Sequence, residues 1–340
     1  MIQLAYLSQA RTRPIPHPRH PPHRRHLQHL RHLRHLRHPR HRAAGMAVIS
    51  ALLVVAAAAV IATSMLTRQT TQVRLLESER ARVQARALLI GGIDWARVIL
   101  RADARRNATT RGDQVWATPI TNMRVSEEGD ATEAVFSGRV EDELGKFNLQ
   151  NLARNGQTDP EHIAAFTRLL QSLGLTTQAV DAIAQRVALA QVIKTEDNAS
   201  SAARAPGLHA LSDLRSFGWD DQTIESLRPF LTILPVRTPL NLNTITAEVL
   251  AATLKDVSLA QALALIDQRD RGQFFNNAAD FKNRLNSPDI DVDDSALAVT
   301  SAWFSVVGTV RIDTANVEMQ ALLRRDGESI PTVIWMRETQ

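Results

Sequence analysis

An uninterrupted apolar run near the N-terminus constrains this chain more than any other feature. From Met46 to Thr67, 22 residues carry no charge, no glycine and no proline, and read MAVISALLVVAAAAVIATSMLT. As one α-helix the run would be about 33 Å long at about 1.5 Å per residue, which matches the hydrocarbon core of a bilayer. The sequence therefore predicts a single membrane-spanning helix over 46–67.

The segment before this run is strongly basic. Residues 1–45 hold ten arginines, no lysine and no acid, so their formal charge is +10. Because the whole chain has a formal charge of +5, the remaining residues sum to −5. Arginines on one side of a membrane helix keep that side in the cytoplasm, so we expect residues 68–340 to lie outside it.

Nine of the eleven histidines also lie in this leader, at every third position from His17 to His41. Such a tract can bind transition metals through neutral imidazole, but no defined set of ligands is visible. A low-complexity sequence of this kind cannot build a packed core. We interpret 1–45 as a disordered basic leader, or as the product of a start codon placed too far upstream.

Three kinds of N-terminal segment compete to explain the apolar run. A cleaved secretory signal fits poorly, because the run is too long and no small-residue cleavage site follows it. A plain signal anchor fits the hydropathy. A type IV prepilin-like N-terminus also fits, because Arg42-Ala43-Ala44-Gly45 precedes Met46 and a prepilin leader ends in glycine. In that case cleavage falls between Gly45 and Met46.

The helical pattern continues beyond the membrane segment, which favours the prepilin-like interpretation. Residues 68–90 contain no glycine or proline, so nothing in them breaks a helix. Apolar side chains recur there at helical spacing, at Leu76, Val83, Ala87 and Ile90. We therefore expect one long helix from Met46 to Ile90, which Gly91-Gly92 then loosens.

Ser50 stands at the fifth position after the expected cleavage site, where most pilin-like proteins have a glutamate. That carboxylate is thought to neutralise the terminal amine of the next subunit, because a lone charge among apolar helices is costly. A subunit without it would be harmless at the tip of a filament, where no subunit lies ahead. The alternative is that Ser50 is an ordinary small residue of a membrane helix.

Three further blocks are specific when taken together and in this order. They are Glu141-Asp142-Glu143-Leu144-Gly145-Lys146-Phe147-Asn148-Leu149-Gln150-Asn151-Leu152, then Leu240-Asn241-Leu242-Asn243-Thr244 with Ala247-Glu248-Val249-Leu250, and finally Phe274-Phe275 with Asp280-Phe281. With the leader and Ser50, they resemble the type II secretion system protein K (general secretion pathway protein K) family of minor pseudopilins. The resemblance runs from about Gly45 to the C-terminus.

This resemblance implies an α+β pseudopilin fold. A long N-terminal transmembrane helix would pack on a small antiparallel sheet, and a large, mainly α-helical insertion resembling helix-hairpin-helix units would lie between strands. The implied parts are a leader 1–45, a long helix 46–105, a first β region 106–150, a helical insertion 151–285 and a C-terminal β region 286–340.

The resemblance also implies a function in assembly rather than catalysis. Such a protein would lie in the inner membrane with a cytoplasmic N-terminus and a periplasmic C-terminal domain. It would be cleaved by a prepilin peptidase, methylated, and joined to other minor pseudopilins and the inner-membrane secretion platform at the tip of a pseudopilus that supports secretion. The residues agree, because the chain has no cysteine, no common catalytic motif and only two histidines outside the leader.

Residue patterns give local predictions for the helices. Asp159 should cap a helix that begins at Pro160. Thr244 should cap a helix over 245–254, and Ser258 one over 259–270. The expected apolar face of the last helix comprises Ala260, Leu263, Ala264 and Ile266.

The C-terminal region reads as antiparallel β-structure. Apolar and β-branched residues predict strands over 303–312, 316–325 and 330–337, with a turn at Asp326-Gly327-Glu328. Gly308 falls within the first of them. A glycine inside a strand marks a bulge or a close approach of another segment.

The helical pair over 245–270 supplies a rival hypothesis, because it resembles the helix-hairpin-helix units of DNA-repair proteins and competence DNA receptors. The rival is a membrane-anchored periplasmic DNA-binding protein. DNA-binding units of this kind use a glycine-containing hairpin whose backbone amides approach a phosphate. Residues 254–258 contain no glycine and include Asp256, and the whole chain has four lysines. We therefore expect no nucleic-acid partner.

Metal binding has weak candidates only. Relatives of the family are reported to bind calcium in the insertion, but residues 181–206 lack the acidic motifs, so no ligands carry over. Four other aspartates form a short acidic stretch, at Asp289, Asp291, Asp293 and Asp294. An EF-hand loop starting at Asp289 would need glycine at its sixth position and glutamate at its twelfth, where Asp294 and Thr300 stand. We interpret the stretch as a solvated turn and expect no firm cofactor.

Overall fold

The computed structural model of the chain describes residues 43–125, 133–194, 200–201, 203–285, 293–313 and 315–339. The chain divides into two compact units, Met1–Arg68 and Gln69–Gln340. Helix α1 (Ala43–Arg106) supplies the described part of the first unit and begins the second. The predicted loosening at Gly91-Gly92 is wrong, because the helix passes through both glycines and ends at Arg106.

The second unit contains a five-stranded antiparallel sheet whose strands follow one another in chain order. The strands are β1 (Ile120–Arg124), β2 (Ala134–Asp142), β3 (Trp303–Ile312), β4 (Ala315–Arg324) and β5 (Thr332–Thr339). The three predicted C-terminal strands are confirmed with small shifts at their ends. In the pairing of β2 with β3, Asp142 lies opposite Phe304 and Gly138 lies opposite Gly308.

The part of α1 in the second unit packs on one face of this sheet. Apolar side chains from both elements form a buried core, including Leu89, Ile93, Leu100, Phe304, Val310 and Leu323. Glycines permit the close approach, because a Cβ at Gly92 would lie 2.8 Å from the ring of Phe136. At Gly308 a Cβ would lie 3.0 Å from Leu89, so this glycine marks close packing, and the β3 pairings run through it without a shift.

A mainly helical insertion connects β2 to β3. Its helices are α2 (Pro160–Ser172), α3 (Val180–Ala190), α4 (Asp221–Leu227), α5 (Ala247–Thr253), α6 (Leu259–Asp270) and α7 (Ala278–Leu285). Short 3-10 helices cover Val115–Ala117 before the sheet, and Glu143–Gly145, Leu149–Leu152, Leu211–Phe217 and Asp294–Ala296 after β2. Two-residue strands pair Phe147–Asn148 with Leu231–Thr232, Ala153–Arg154 with Gln157–Thr158, Ile193–Lys194 with Ser200–Ser201, and Leu240–Asn241 with Leu297–Ala298.

The insertion has a hydrophobic core of its own. All the buried members of this core lie between Phe147 and Leu297, and none belongs to α1 or to the five-stranded sheet. Aromatic rings occupy its centre, with Phe147 stacked on Phe166 at 5.5 Å between ring centres. A smaller cluster of Leu144, Leu234, Trp303 and Leu322 joins the insertion to the sheet.

Helix caps agree with the sequence in two cases and differ in one. The side chain of Asp159 accepts from the backbone amide of His162 at the start of α2, and Ser258 accepts from Gln261 at the start of α6, as predicted. Helix α5 begins later than expected and is capped by Thr246. Thr244 is not the cap, because its hydroxyl donates to the carboxylate of Asp142.

The predicted apolar face of α6 is correct at Ile266, which packs against the insertion core, and wrong at its other three positions. Ala262, Leu265 and Arg269 face inward, whereas Leu263 is 51% exposed. Arg269 takes an inward position because its guanidinium donates to the backbone carbonyl oxygens of Leu242 and Ile245, the latter at 2.6 Å. These hydrogen bonds offset the cost of burying the guanidinium group. A hydropathy pattern alone predicts that an arginine lies on the surface.

Candidate assembly surface and the neck of the insertion

The N-terminal part of α1 presents an apolar surface. Every residue from Gly45 to Leu66 is exposed within its unit, and Met46 is exposed to 75%. Among the described residues, α1 is the one helix long and apolar enough to cross a membrane, with a mean hydropathy of 2.6 in its most apolar window. The helix already includes the Gly45–Met46 bond, and a Cβ at Gly45 would meet no other atom within 4 Å.

The hydroxyl groups in this segment have hydrogen-bond partners on their own helix. Ser50 donates to the carbonyl oxygen of Ala47 at 3.0 Å, Thr63 to that of Ala59 at 2.8 Å and Ser64 to that of Ile61 at 2.8 Å. A polar group in hydrocarbon is costly unless it is hydrogen-bonded. These bonds therefore make the segment compatible with a bilayer, and Ser50 brings no charge into it.

A second apolar feature of α1 lies within the second unit, and we call it the α1 stripe. It comprises Leu76, Val83, Ala87, Ile90 and Val98, which follow one another at helical spacing. Leu76 is 74% exposed, Val83 59% and Ile90 44%. Leu89, Ile93 and Leu100 face the sheet from the opposite side of the helix. The four positions predicted from the sequence are therefore exposed in this unit, and the structure adds Val98 to them.

Arginines of α1 fix the same helix to the C-terminal hairpin. Arg86 pairs with Glu338 at 2.8 Å, and Arg97 donates to the carbonyl oxygen of Pro331 at 2.7 Å. Arg105 pairs with Glu328 at 3.4 Å. These contacts are spaced along α1, so they set the direction of the helix on the sheet.

The insertion meets the sheet at a narrow polar junction, which we call the neck. It comprises Asp142 at the end of β2, the segments 143–146 and 299–302, and Asn241 and Thr244 of the insertion. Oδ2 of Asp142 accepts hydrogen bonds from Asn241 at 2.8 Å, from Thr244 at 2.6 Å and from Ser301 at 2.6 Å. Its Oδ1 accepts from the backbone amide of Leu144 at 2.9 Å. One carboxylate thus holds donors from three separate segments.

Burial and hydrogen bonding act in opposite directions on Asp142. Burial raises the pKa of this carboxyl group, because the charged form loses its hydration, and the hydrogen bonds from Ser301, Thr244, Leu144 and Asn241 oppose the rise. The contacts described above fill the acceptor sites of the carboxylate. The group is therefore suited to hold neighbouring segments in place.

Arg325 connects the neck to the end of α1. Its guanidinium donates to the carbonyl oxygen of Ser301 at 2.9 Å, to the hydroxyl of Thr110 at 2.7 Å and to the carboxylate of Asp103 at 3.2 Å. The same group lies 4.7 Å above the ring of Phe304. Since Asn241 also donates to the carbonyl oxygen of Thr110, the bonds around Asp142 and Arg325 form one network.

Lys146 carries a second set of charges beside the neck. Its ammonium group pairs with Glu141 at 2.7 Å and with Glu143 at 3.1 Å. Burial alone would raise the pKa of Glu141, but Lys146 and Arg139 outweigh it and lower the pKa to about 2. Burial alone would lower the pKa of Lys146, and Glu143 and Glu141 raise it above its ordinary value. The block Glu141–Lys146 is therefore a structural ion-pair cluster.

The rest of that block holds the insertion together. A Cβ at Gly145 would lie 2.7 Å from the carbonyl oxygen of Thr244, so only glycine fits there. Asn148 donates to the carbonyl oxygen of Val236 and accepts from the amide of Leu234. Asn151 donates to the carbonyl oxygen of Thr238. Asn148 also caps the short 3-10 helix Leu149–Leu152, because its side chain accepts from the backbone amide of Gln150.

Two clefts flank the neck. One has a volume of about 790 Å³ and is lined by Asp142, Thr244 and Arg269 among others. The other has a volume of about 570 Å³ and is lined by Thr110, Ser301 and Arg325 among others. Both clefts are bounded by residues of the insertion and of the sheet unit, so the polar contacts of the neck bridge a gap that is open on two sides.

The hairpin between α5 and α6 matters for the rival DNA-binding hypothesis. Lys255 and Asp256 are exposed side by side at its turn, so their charges offset each other. The turn contains no glycine, and Leu254 and Val257 are buried in the insertion core. The pair of helices therefore contributes apolar packing to the insertion.

The calcium candidates lie partly outside the described residues, since Asp289 and Asp291 are not among them. Asp293 accepts hydrogen bonds from the amide and the hydroxyl of Ser295, both at 2.8 Å, and these bonds lower its pKa. Asp294 begins the short 3-10 helix Asp294–Ala296. Within the described ranges, no three or more histidines, aspartates or glutamates are grouped to hold a metal ion.

The neck is not evident from the sequence. Asp142 and Asn241 both lie in blocks described above, but 99 residues separate them, and neither block indicates that it faces the other. Arg325 lies outside every block. The one available signal was the position of an aspartate and of polar residues directly at the ends of strands.

Sequence comparison finds proteins of one kind that are similar to this chain. Two sequence models described as "Type II secretion system (T2SS), protein K" match residues 145–236 and 240–300. The chain is 28% identical over 308 residues to type II secretion system protein K of Pseudomonas aeruginosa, covering 84% of this chain and 90% of the relative. It is 27% identical over 320 residues to the protein of that name in Pectobacterium carotovorum subsp. carotovorum, covering 86% and 95%.

The fold also resembles a solved structure, that of the GspK-GspI-GspJ complex from the enterotoxigenic Escherichia coli type 2 secretion system. The matching chain superposes with a TM-score of 0.60 at 18% identity, covering 78% of this chain and 99% of that chain. A long apolar helix, an antiparallel sheet and a helical insertion, taken together with the family and sequence matches, define a protein of the pseudopilin class. The chain belongs to the type II secretion system protein K family of minor pseudopilins, which is not a family of enzymes.

Proposed function

We propose that this protein caps a periplasmic pseudopilus and so supports protein secretion across the outer membrane. The observation that carries the proposal is the exposed apolar surface of α1, which includes Gly45–Leu66 and the α1 stripe. An apolar helix surface of this length costs free energy in water, so it needs a bilayer or other helices as its environment. A pseudopilin has both environments, because its helix begins in the membrane and continues in a bundle with the helices of other subunits.

Processing at Gly45 is the first step of the proposed function. A prepilin peptidase would cut between Gly45 and Met46 on the cytoplasmic side and methylate the new terminus. Ser50 would then be the fifth residue of the mature chain, without the carboxylate that a subunit inside a filament needs. This supports a position at the tip.

The mass of the N-terminal peptide tests this step. After co-expression with a prepilin peptidase we expect a methylated terminus at Met46, and Gly45→Leu should prevent cleavage. Gly91→Ala is the matched control, because it changes an α1 glycine that is far from the junction and has open space around it. An intact leader in the unchanged protein would contradict the proposal.

Neighbouring minor pseudopilins are the proposed partners of the α1 stripe. The solved relative is part of a complex with GspI and GspJ, and we propose that proteins of these two kinds bind here, together with the inner-membrane secretion platform.

The chain has no cysteine, so a single cysteine can be placed without other changes. Val83→Cys should form crosslinks to such a partner carrying one cysteine on its own helix. Gln84→Cys, on a different face of α1, should form few, and equal yields would contradict the assignment.

We propose a location in the inner membrane with the N-terminus in the cytoplasm. The ten arginines before the apolar run support this orientation. Alkaline phosphatase fused after Gln340 should be active, because that enzyme requires the periplasm to form its disulfides. An inactive phosphatase fusion at normal expression would contradict this topology.

The DNA-binding alternative has one supporting observation, the paired helices α5 and α6. It predicts that the full chain in detergent shifts duplex DNA at moderate salt. We expect no shift, because the turn of this pair carries Asp256 and lacks the glycine that lets a phosphate approach.

A further inference from the structure

The neck combines a buried polar contact with open space beside it. Its central contact is a buried carboxylate that accepts from Asn241 and Thr244 on the insertion side and from Ser301 on the returning segment. Beside it, clefts of about 790 Å³ and 570 Å³ separate the insertion from the sheet unit. The insertion and the sheet also keep separate hydrophobic cores. Loss of the central contact would therefore leave both cores intact.

We propose that Asp142 is a latch that holds the helical insertion in one orientation on the sheet, and that without its carboxylate the insertion rocks about the neck while both cores stay folded. This goes beyond the assembly role, because it assigns a conformational device to a residue that touches neither the α1 stripe nor the apolar segment.

The geometry explains why one residue controls the orientation. Oδ2 receives three donors, and two of them come from residues of the insertion that are three positions apart in the chain. Gly145, in the segment that follows β2, lets the backbone pass close to the carbonyl group of Thr244, and this close contact limits movement of the insertion on that side. Among the described residues, a small apolar cluster around Leu234 and Trp303 also joins the insertion to the sheet, and the guanidinium of Arg111 lies 4.3 Å from the ring centre of Phe274. Such contacts are less directional than hydrogen bonds and allow small sliding movements.

Distance measurements between two spin labels test the latch in the full chain in detergent. The labels go on Gln268→Cys in α6 and Asn316→Cys in β4, which are both exposed, and the protein has no cysteine of its own. We expect one narrow distance distribution in the parent protein. Asp142→Asn replaces the carboxylate with a group of the same shape that cannot accept from all four donors, and the width of the distribution should roughly double.

Asp159→Asn is the matched control. Asp159 caps α2 and pairs with Arg237 within the insertion, so its loss weakens the insertion without touching the neck. It should leave the distribution narrow. An unchanged distribution in Asp142→Asn overturns the proposal, and so does equal broadening in Asp159→Asn, because that would indicate general loosening.

A second variant covers the case in which Asp142→Asn does not fold, as judged by far-UV circular dichroism. Thr244→Val keeps the carboxylate and removes one donor from the insertion side. We expect a smaller broadening with unchanged helix content, and a distribution as narrow as that of the parent would overturn the latch. These outcomes are independent of cleavage at Gly45 and of crosslinking at Val83, so failure here leaves the assembly role intact.

Discussion

At the scale of single residues, the space around Gly145 makes a sharp prediction. A Cβ at this position would lie 2.7 Å from the carbonyl oxygen and 2.9 Å from the carbonyl carbon of Thr244, and backbone atoms cannot move aside cheaply. Gly145→Ala should therefore lower the free energy of unfolding by about 1–3 kcal/mol through overpacking. Chemical denaturation of the parent and the variant measures this change in the free energy of unfolding. Gly112→Ala, where a Cβ would meet nothing within 4 Å, is the control and should be close to neutral.

Glu141 predicts a defined dependence of stability on pH. Lys146 and Arg139 hold the pKa of Glu141 at about 2, against an ordinary value of 4.5. Because the folded state favours the ionised form, this carboxylate stabilises the protein above pH 4.5, and the contribution is lost as the pH falls towards 2.

A comparison of unfolding free energies at several pH values checks this expectation. Glu141→Gln should be less stable than the parent at pH 7, and the difference should shrink steadily below pH 4.5. A difference that stays constant down to pH 2.5 would contradict the assigned ion pairs.

At the scale of elements, two adjacent glycines of α1 have opposite expected effects. A Cβ at Gly92 would lie 2.8 Å from the ring of Phe136, and that ring also lies against Gly138 and Gly308, so it has little room to move. Gly92→Ala should destabilise the packing of α1 on the sheet. Gly91→Ala faces open space and should stabilise the helix by about 1 kcal/mol, because alanine is the better helix former.

Thermal unfolding of the two variants distinguishes close packing of Gly92 against Phe136 from a general need for flexible residues at Gly91 and Gly92. If both substitutions destabilise the protein equally, the helix needs flexible residues there and the packing argument is wrong. If the melting temperature falls for Gly92→Ala and rises for Gly91→Ala, the contact with Phe136 explains why the helix needs a glycine on that side.

How well the sequence predicted each element depends on the kind of interaction that forms it. Local signals worked, because the apolar run, the caps at Asp159 and Ser258 and the last three strands depend on neighbouring residues. Most of the predicted face of α6 was wrong because this helix has apolar residues on more than one side, and bonds from Arg269 to distant carbonyl groups lie on the side that faces inward. The neck was missed for the same reason, since Asp142 and Ser301 are 159 residues apart.

At the scale of the whole molecule, the helical insertion should fold as an independent module. All buried residues of its core lie between Phe147 and Leu297. Expressed alone, residues 145–300 should be helical and should unfold in one cooperative transition by circular dichroism. A gradual, non-cooperative melt would show that the insertion depends on the sheet. Phe166→Ala in the same fragment should abolish the transition, because this ring is fully buried at the centre of the core.

The pairing of β2 with β3 has a consequence for how the chain folds. Asp142 lies opposite Phe304, so the whole insertion is the loop of what is otherwise an ordinary hairpin. Closing so long a loop of unfolded chain costs conformational entropy that grows with the logarithm of its length. If the insertion folds first, its two ends come together and most of that entropic cost is removed before β2 and β3 pair. We therefore expect the insertion to fold before the sheet, and the sheet, with α1 packed on it, to form last.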